Sequence, residues 1–397
     1  MITVEQAQAL CLDLVQTGPS ETAPLADAQG KTLAAPLQAK RDQPPFSASA
    51  MDGYAVRRDD AVQDAKLDIV GESAAGHGWD GTVQTGQSVR IFTGAPVPDG
   101  ADCVVIQENV TTDGAQVTLT ESIGNNMNIR PQGADFKIDY TLKAPRVISA
   151  ADLALIAAMN HPDVAVTRKP KVALISTGDE LLMPGGDPSP NQIIASNVFA
   201  LQAMLRDAGA KPNILPIAPD TPDALDEVLG QASDWGADII VTIGGASVGD
   251  HDLVAPALDR FGVTRSFHKI AMRPGKPLMA GAKGTTAFLG LPGNPVSAIV
   301  CGHLFLLPMV RRALGQSNVL PRAVTARLTA PLPKGGPRAH YMRARFEEGA
   351  ENRTVTAFDK QDSSMLTVLA DANCLLLRPI DDTAKDAGDP VTIYPIT

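Results

Sequence analysis

A chain of 397 residues exceeds what one compact core ordinarily serves, so the sequence predicts roughly two to four domains. With 44% hydrophobic and 20% charged residues it has the balance of a soluble globular protein. A net charge of −10 and only 4% aromatics argue against a nucleic-acid partner, which calls for basic surface and stacking rings. The start, Met1-Ile2-Thr3-Val4-Glu5, lacks the basic head and apolar run of a secretory signal, and Cys11, Cys103, Cys301 and Cys374 are too scattered for a metal-binding pair. The expectation is a reduced, cytoplasmic protein with no membrane partner.

Residues 3–15 carry helical periodicity, with Val4, Ala7, Leu10, Cys11 and Val15 on one face. Between 40 and 145, short β-type runs (Leu67–Val70, Ser88–Phe92, Cys103–Ile106, Ala115–Leu119) alternate with Gly, Pro, Asp and Asn, which predicts a mainly β insert. Ser149 reads as the N-cap of a helix running to Met159. From 170 onward, strand and helix alternate as in a doubly wound, mainly parallel sheet. The predicted strands are Lys171–Ser176, Asn213–Ala218, Ala237–Ile243 and Thr285–Leu291; the predicted helices are Asn197–Ala208, Pro222–Ser233, His251–Phe261 and one from Pro295. Val296–Val310 falls short of the ~20 apolar residues of a membrane span and reads as a buried helix. Past 320 the chain turns β again, at Val324–Leu328, Cys374–Leu377 and Val391–Ile393.

In an open parallel sheet, ligands bind just beyond the carboxyl ends of the strands. Three of the predicted strands run into acidic loops: Ser176-Thr177-Gly178-Asp179-Glu180, then Pro219-Asp220, then Gly244-Gly245-Ala246-Ser247-Val248-Gly249-Asp250. A single such acid is more often a helix cap or a solvated turn, and Asp250 would serve to cap the helix near His251. Three at neighbouring strand tips would repel one another unless a divalent cation carrying substrate phosphates neutralised them, and Mg2+ suits that role. The loop Gly244 to Gly249 leads from strand to helix and presents backbone N–H groups to a phosphate, although a plain tight turn would read the same way. In Leu291-Pro292-Gly293-Asn294-Pro295, Asn294 is placed to cap a helix whose first residue is Pro295. Lys269, Arg273 and Lys276 put three cations within eight residues on a proline-glycine turn, a compact arm for an anion unless it is simply a solvated face. The set implies phosphoryl or nucleotidyl chemistry of some kind.

The remaining motifs narrow this. The stretch Pro44-Pro45-Phe46-Ser47-Ala48-Ser49-Ala50-Met51-Asp52-Gly53-Tyr54-Ala55-Val56 resembles the signature of the molybdopterin molybdenumtransferases, the family of bacterial MoeA and the gephyrin E domain. So do Thr93-Gly94-Ala95-Pro96-Val97-Pro98, Ser176 to Leu181, Gly244 to Asp250, Pro274-Gly275-Lys276-Pro277 and Leu291 to Pro295, in family order over residues 44–297. The resemblance implies a linking domain from residues 1–43 and 141–168, a β-rich insert domain over 44–140, an α/β molybdopterin-binding domain like that of MogA over 169–316, and a C-terminal β domain over 317–397. It implies a homodimer whose site lies between the sheet domain of one subunit and the insert of the other. The implied reaction takes adenylated molybdopterin and molybdate, with Mg2+ assisting, and releases AMP. A molybdopterin adenylyltransferase and cofactor-accepting enzymes are the implied partners.

Carried over position by position, Glu180, Asp220 and Asp250 stand near metal and nucleotide. Asp52 and Thr93 come from the insert, and Lys269 and Arg273 neutralise molybdate or phosphate. The substrate is cradled by Ser176, Thr177, Gly178, Gly244, Gly245, Ser247, Gly249, Lys276, Pro292, Gly293, Asn294 and Pro295, while Arg343 and Ser363 approach the pterin end. Asp135 is a further insert candidate. The chain departs from the family pattern at Arg273, often lysine, and at Ala134, often glutamate. A non-catalytic scaffold and a molybdopterin adenylyltransferase are the competing readings; peptide capture without AMP release would mark the first, and reaction with ATP and molybdopterin the second. Tungstate in place of molybdate is equally compatible with the sequence.

Overall fold

The computed structural model describes residues 1–245, 253–349 and 353–396. The N-terminal helix Val4–Asp13 is closed by a capping box, Thr3 Oγ1 accepting from Gln6 N–H while Gln6 Oε1 accepts from Thr3 N–H. Beyond it an antiparallel sheet interleaves strands from both sides of the insert, in the order Ser20–Pro24, Asp163–Thr167, Thr32–Leu33, Arg146–Val147. The helix Ala150–Ala158 packs there and begins at Ser149, whose Oγ accepts from Asp152 N–H at 3.2 Å. The chain leaves this layer through Leu37–Gln38 and returns through its antiparallel partner Thr141–Leu142.

Between them stands the insert, a six-stranded sheet in the order Cys103–Ile106, Gly53–Val56, Gln87–Ile91, Lys66–Ser73, Gln116–Leu119, Val110–Thr112. Its alternating side chains feed two small cores, Val56, Leu67, Val105 and Val117 on one face and Ala55, Val89, Ile91 and Val104 on the other.

The central sheet runs Lys211–Ile214, Lys171–Ser176, Ile239–Ile243, Thr286–Leu291, Met279–Lys283, Thr264–His268. The first four strands are parallel, Met279–Lys283 runs against them, and the edge strand Thr264–His268 pairs antiparallel to that fifth strand. Helices cover both faces, so Val172 and Leu174 enter one core and Ala173 and Ile175 the other, which is why these strands are continuous apolar runs. The second strand begins and ends earlier than its sequence suggests. Pro216 and Pro219 lack the N–H that a ladder needs, so pairing stops near Ile214, and Ala218 keeps a single bridge to Thr177. The third helix is observed from Val254 to Arg260, and its expected start at His251 lies outside the described residues.

The segment Pro295–Ala313 is one helical rod, long and apolar enough to cross a membrane but 83% buried inside the molecule. Its middle, Gly302–Leu306, widens into a π-turn in which Leu307 N–H reaches back to Gly302 C=O. Pro308 has no N–H to offer Leu304 C=O four residues earlier, and that carbonyl takes Gln8 Nε2 from the N-terminal helix instead, at 3.0 Å.

The tail closes a sheet on itself: Met272–Arg273, Ala339–Glu348, Arg353–Ala357, Val324–Leu328, Pro390–Pro395, Cys374–Arg378, with Ala339–Glu348 also paired to Cys374–Arg378. Its first member belongs to the cationic arm of the central domain, so the arm is laced to the tail by a parallel ladder, Arg273 opposite His340.

Candidate active site

Backbone bonds knit the four parallel strand tips into one platform. Thr177 N–H donates to Ile243 C=O, Gly178 N–H to Ala218 C=O and Gly244 N–H to Leu291 C=O, each at 3.1 Å. Above it opens a cleft of about 620 Å³ lined by Ser176, Thr177, Gly178, Glu180, Asp220, Gly244, Gly245, Pro292, Gly293, Asn294 and Pro295. These predicted residues are therefore brought together. Glu180 and Asp220 are both exposed on the rim. Asp179 N–H donates to Asp220 Oδ2 at 3.4 Å and Asp220 N–H to Asp179 Oδ1 at 3.0 Å, a reciprocal clasp that ties the first two acidic loops. Gly178 has φ +141°, and a Cβ there would collide with the Glu180 carboxylate, so glycine clears the space that carboxylate occupies. Asp250, with Ser247 and Gly249, lies outside the described residues. Among the described residues no group of three His, Cys, Asp or Glu side chains gathers as a metal cage.

Thr177 is 5% exposed, and among the described residues its Oγ1 has no hydrogen-bond partner at the cleft floor. An orphaned hydroxyl there is a donor waiting for a ligand oxygen. Asn294 precedes the rod helix as expected, but its side chain does not cap it. Asn294 Nδ2 donates to Ser363 Oγ at 3.1 Å, and Ser363 C=O accepts the helix's Val296 N–H at 3.1 Å, so the tail supplies the cap. Ser363 thus clamps the cleft edge, and its neighbour Ser364 lines the cleft.

The cations sit beside the cleft rather than in its lining, where only Pro277 of their arm appears. Lys269 opens the arm in the left-handed region, φ +74°, a conformation that costs a lysine about 1–2 kcal/mol and marks a site fixed by its surroundings. Lys269 N–H donates to Leu278 C=O and Ile270 N–H to Lys276 C=O, closing the turn. Gly275, φ +110°, lies so close to the rod helix that a Cβ would approach Cys301 Sγ to 2.5 Å. Arg273 and Lys276 stay exposed.

Behind them Arg343 is 0% exposed. Its Nη2 donates to Asp362 C=O at 2.9 Å, while Nε and Nη1 have no partner. Gln361 holds this strand in place, accepting Arg343 N–H and donating to Arg343 C=O, both at 2.9 Å. His340 is also buried at Nε2 without a partner; burial, reinforced by the charges of Arg273, Arg343, Arg378 and Arg338, pushes its pKa down to about 4. Asp362 is held below the usual carboxylate range by its bonds from Ser364 and by Arg343 and Arg273.

Asp52 and Thr93 lie on the insert, outside this cleft. Asp52 Oδ1 accepts both Thr93 N–H and Thr93 Oγ1–H at 2.7 Å, which with Arg90 lowers its pKa. Arg90 is stacked between Tyr54 and Phe92, 5.1 and 4.8 Å from their ring centres, and donates to Gly53 C=O and Gln107 Oε1. Asp135 is exposed on the loop after Arg130. Leu181, Ile193 and Ile194, which line the cleft from a two-strand ladder, and Asn197, whose Nδ2 donates to Gly293 C=O at 2.8 Å, are cleft residues not expected from the sequence. The signal was present in the repeated aliphatic pairs Leu181-Leu182 and Ile193-Ile194 around a Pro/Gly-rich turn.

Sequence comparison agrees with this layout. Family patterns match in order: MoeA N-terminal region (domain I and II) over residues 2–160, "Probable molybdopterin binding domain" over 173–312, and MoeA C-terminal region (domain IV) over 325–396. The molybdopterin molybdenumtransferase of Nostoc sp. is 35% identical, covering 92% of this chain and 86% of its own. That of Haemophilus influenzae is 32% identical over 100% and 98%. The solved molybdopterin biosynthesis moeA protein of Pyrococcus horikoshii OT3 superposes with a TM-score of 0.85 at 26% identity, covering 100% of each chain. The chain belongs to the molybdopterin molybdenumtransferase (MoeA) family, transferases of molybdenum-cofactor biosynthesis.

Proposed function

We propose that this chain inserts molybdate into adenylated molybdopterin, releasing AMP and leaving molybdenum on the pterin dithiolene, in a Mg2+-assisted reaction in the cytoplasm. What carries this proposal is the Arg343 guanidinium, fully buried with two open donors and bonded to the Asp362 carbonyl, one residue from the Ser363 clamp at the cleft edge. The Asp362 carboxylate offsets its charge through space, yet two guanidinium donors stay unserved, and a planar fork suits an oxyanion such as the substrate molybdate. Arg273 and Lys276 add positive charge on the same side.

In the cleft, the Thr177 hydroxyl offers a donor to the phosphates, and the glycines at 178, 244 and 245 let them approach the backbone closely. The exposed carboxylates of Glu180 and Asp220 form a hard-oxygen donor set that fits Mg2+, which takes one or two protein carboxylates and fills its shell with water and phosphate. Bound there, Mg2+ would neutralise charge on the phosphoanhydride that AMP leaves. Leu181, Ile193 and Ile194 give the pterin an apolar wall. None of these side chains needs to form a covalent intermediate: they bind, orient and neutralise.

The second half of the proposal is a homodimer. Asp52 and Thr93 are not among the residues that line their own chain's cleft, and a second copy's insert would supply them. Phe46 and Met51, exposed on the same segment as Asp52, and Ile193, exposed in the cleft lining, are the kind of apolar surface a partner covers. An adenylyltransferase upstream and a cofactor-accepting enzyme downstream complete the set of partners. The test is AMP release from adenylated molybdopterin. Release should rise on adding molybdate, fall with a chelator, and lose its molybdate response in Arg343→Ala. Release that is indifferent to molybdate would overturn the reading.

A further inference from the structure

A second cavity, about 250 Å³, lies at the other end of the rod helix and shares no lining residue with the first. His303, Leu307 and Arg311 face it from the helix at i, i+4 and i+8, Arg322 from the segment that leads into the tail, and Leu375 and Tyr394 from two tail strands. Among the described residues no carboxylate lines it. Arg311 is half-buried, donates from Nη1 to Val319 C=O at 3.2 Å, and burial lowers its pKa. Among the described residues neither Arg311 nor Arg322 enters an ion pair, although the acids of this acidic chain pair with arginine at several other places. Burial likewise pushes His303 down to about 4, so its ring is neutral near pH 7 and available as a hydrogen-bonding group. Two guanidiniums, one half-buried and one at the exposed mouth, therefore meet an apolar wall, with nothing negative supplied by the described lining residues.

We propose that this cavity binds a small monocarboxylate bearing a short apolar chain, its head between Arg311 and Arg322 and its tail against Leu307, Leu375 and Tyr394. The paired arginines select an anion, and a guanidinium matches a carboxylate in two-point geometry. The aliphatic and tyrosine walls select a ligand with hydrocarbon to bury, which a bare inorganic anion lacks. The position also gives the ligand a consequence. Leu375 is the direct cross-strand partner of Arg343, so an occupant touches the strand bonded to the one that carries the buried guanidinium of the first site. The cavity spans helix, connecting segment and tail, and filling it would stiffen their junction.

The proposal is tested on the full-length chain by ligand-observed saturation-transfer NMR with hexanoate as the probe. Hexanoate should give a saturable signal, inorganic phosphate should bind at least tenfold more weakly, and hexylamine should give none. The double variant Arg311→Gln/Arg322→Gln should weaken hexanoate at least tenfold. Leu307→Trp, which plugs the cavity and keeps both charges, should do the same. Circular dichroism confirms that each variant is folded. Three results would each overturn the proposal: absence of saturable hexanoate binding to the native chain, undiminished binding in both variants, or displacement of hexanoate by AMP, which would place it in the first cleft. Molybdate-dependent AMP release is a separate measurement, so either conclusion can fail alone.

Discussion

Asp52 is ionised more readily than a free aspartate because two donors from Thr93 converge on one of its oxygens and Arg90 stands beside it. The rings of Tyr54 and Phe92 fix that arginine, so its charge is positioned rather than free to swing away. Arg90→Ala is expected to raise the Asp52 pKa and move the acid limb of the AMP-release pH profile upward, with Arg90→Lys restoring part of the shift. An acid limb that stays put in Arg90→Ala would remove Arg90 from the site's electrostatics. The two buried histidines make a prediction for stability instead. His303 and His340 are both held at about 4, His303 by burial and then Arg311, His340 by burial and then its arginines. Their folded values lie below the ordinary 6.5, so between these limits the unfolded chain binds more protons. Stability is complete above about pH 6.5 and falls as the pH drops toward 4, by at most about 2.7 kcal/mol per pH unit for two rings. Melting temperature measured from pH 7.5 to 4.5 should show that decline, and His340→Asn should flatten it.

The rod helix shows how one missing N–H propagates between elements. Pro308 leaves Leu304 C=O unserved, the helix widens by one residue, and Gln8 from the N-terminal helix fills the vacancy. Gln8→Ala should cost about 1 kcal/mol, read as a lower urea midpoint, because a part-buried carbonyl loses its donor; an unchanged midpoint would mean that water serves it equally well. Sequence legibility divides along similar lines. Lys171–Ser176 and Cys103–Ile106 carry unbroken apolar runs and stand where they were expected. Ala339–Glu348, a ten-residue strand, escaped notice because its inward position 343 hides a guanidinium rather than an aliphatic chain, which breaks the alternation a strand advertises. Thr264–His268 escaped for the opposite reason, being an edge strand with exposed Thr264, Arg265 and Ser266. The cleft's glycines and acids were legible because strand tips of a parallel sheet are a fixed address for ligands. The Ser363 cap on the rod helix was not, since it depends on a tail that arrives from another layer.

At the scale of the molecule, the separation of Asp52 from Glu180 has a direct test in mixed subunits. In the proposed shared-site dimer, Asp52→Ala and Glu180→Gln chains, each expected to be inactive alone, should regain roughly a quarter of native activity when unfolded and refolded together, since half the dimers would be mixed with one whole site in each. No recovery, in a mixture shown by native mass spectrometry to contain mixed dimers, would place both residues in one chain's site. The insert's mode of attachment has a consequence for how such an enzyme changes over time. Its two stalks, Leu37–Gln38 and Thr141–Leu142, are hydrogen-bonded neighbours, so everything between them hangs from a single doorway about 5 Å wide. A segment held that way can be lengthened, exchanged for a relative's, or trimmed to a short turn while the strands outside the doorway keep their register. Selection can therefore rework the body of the insert without disturbing the fold of the platform that carries Glu180 and Asp220.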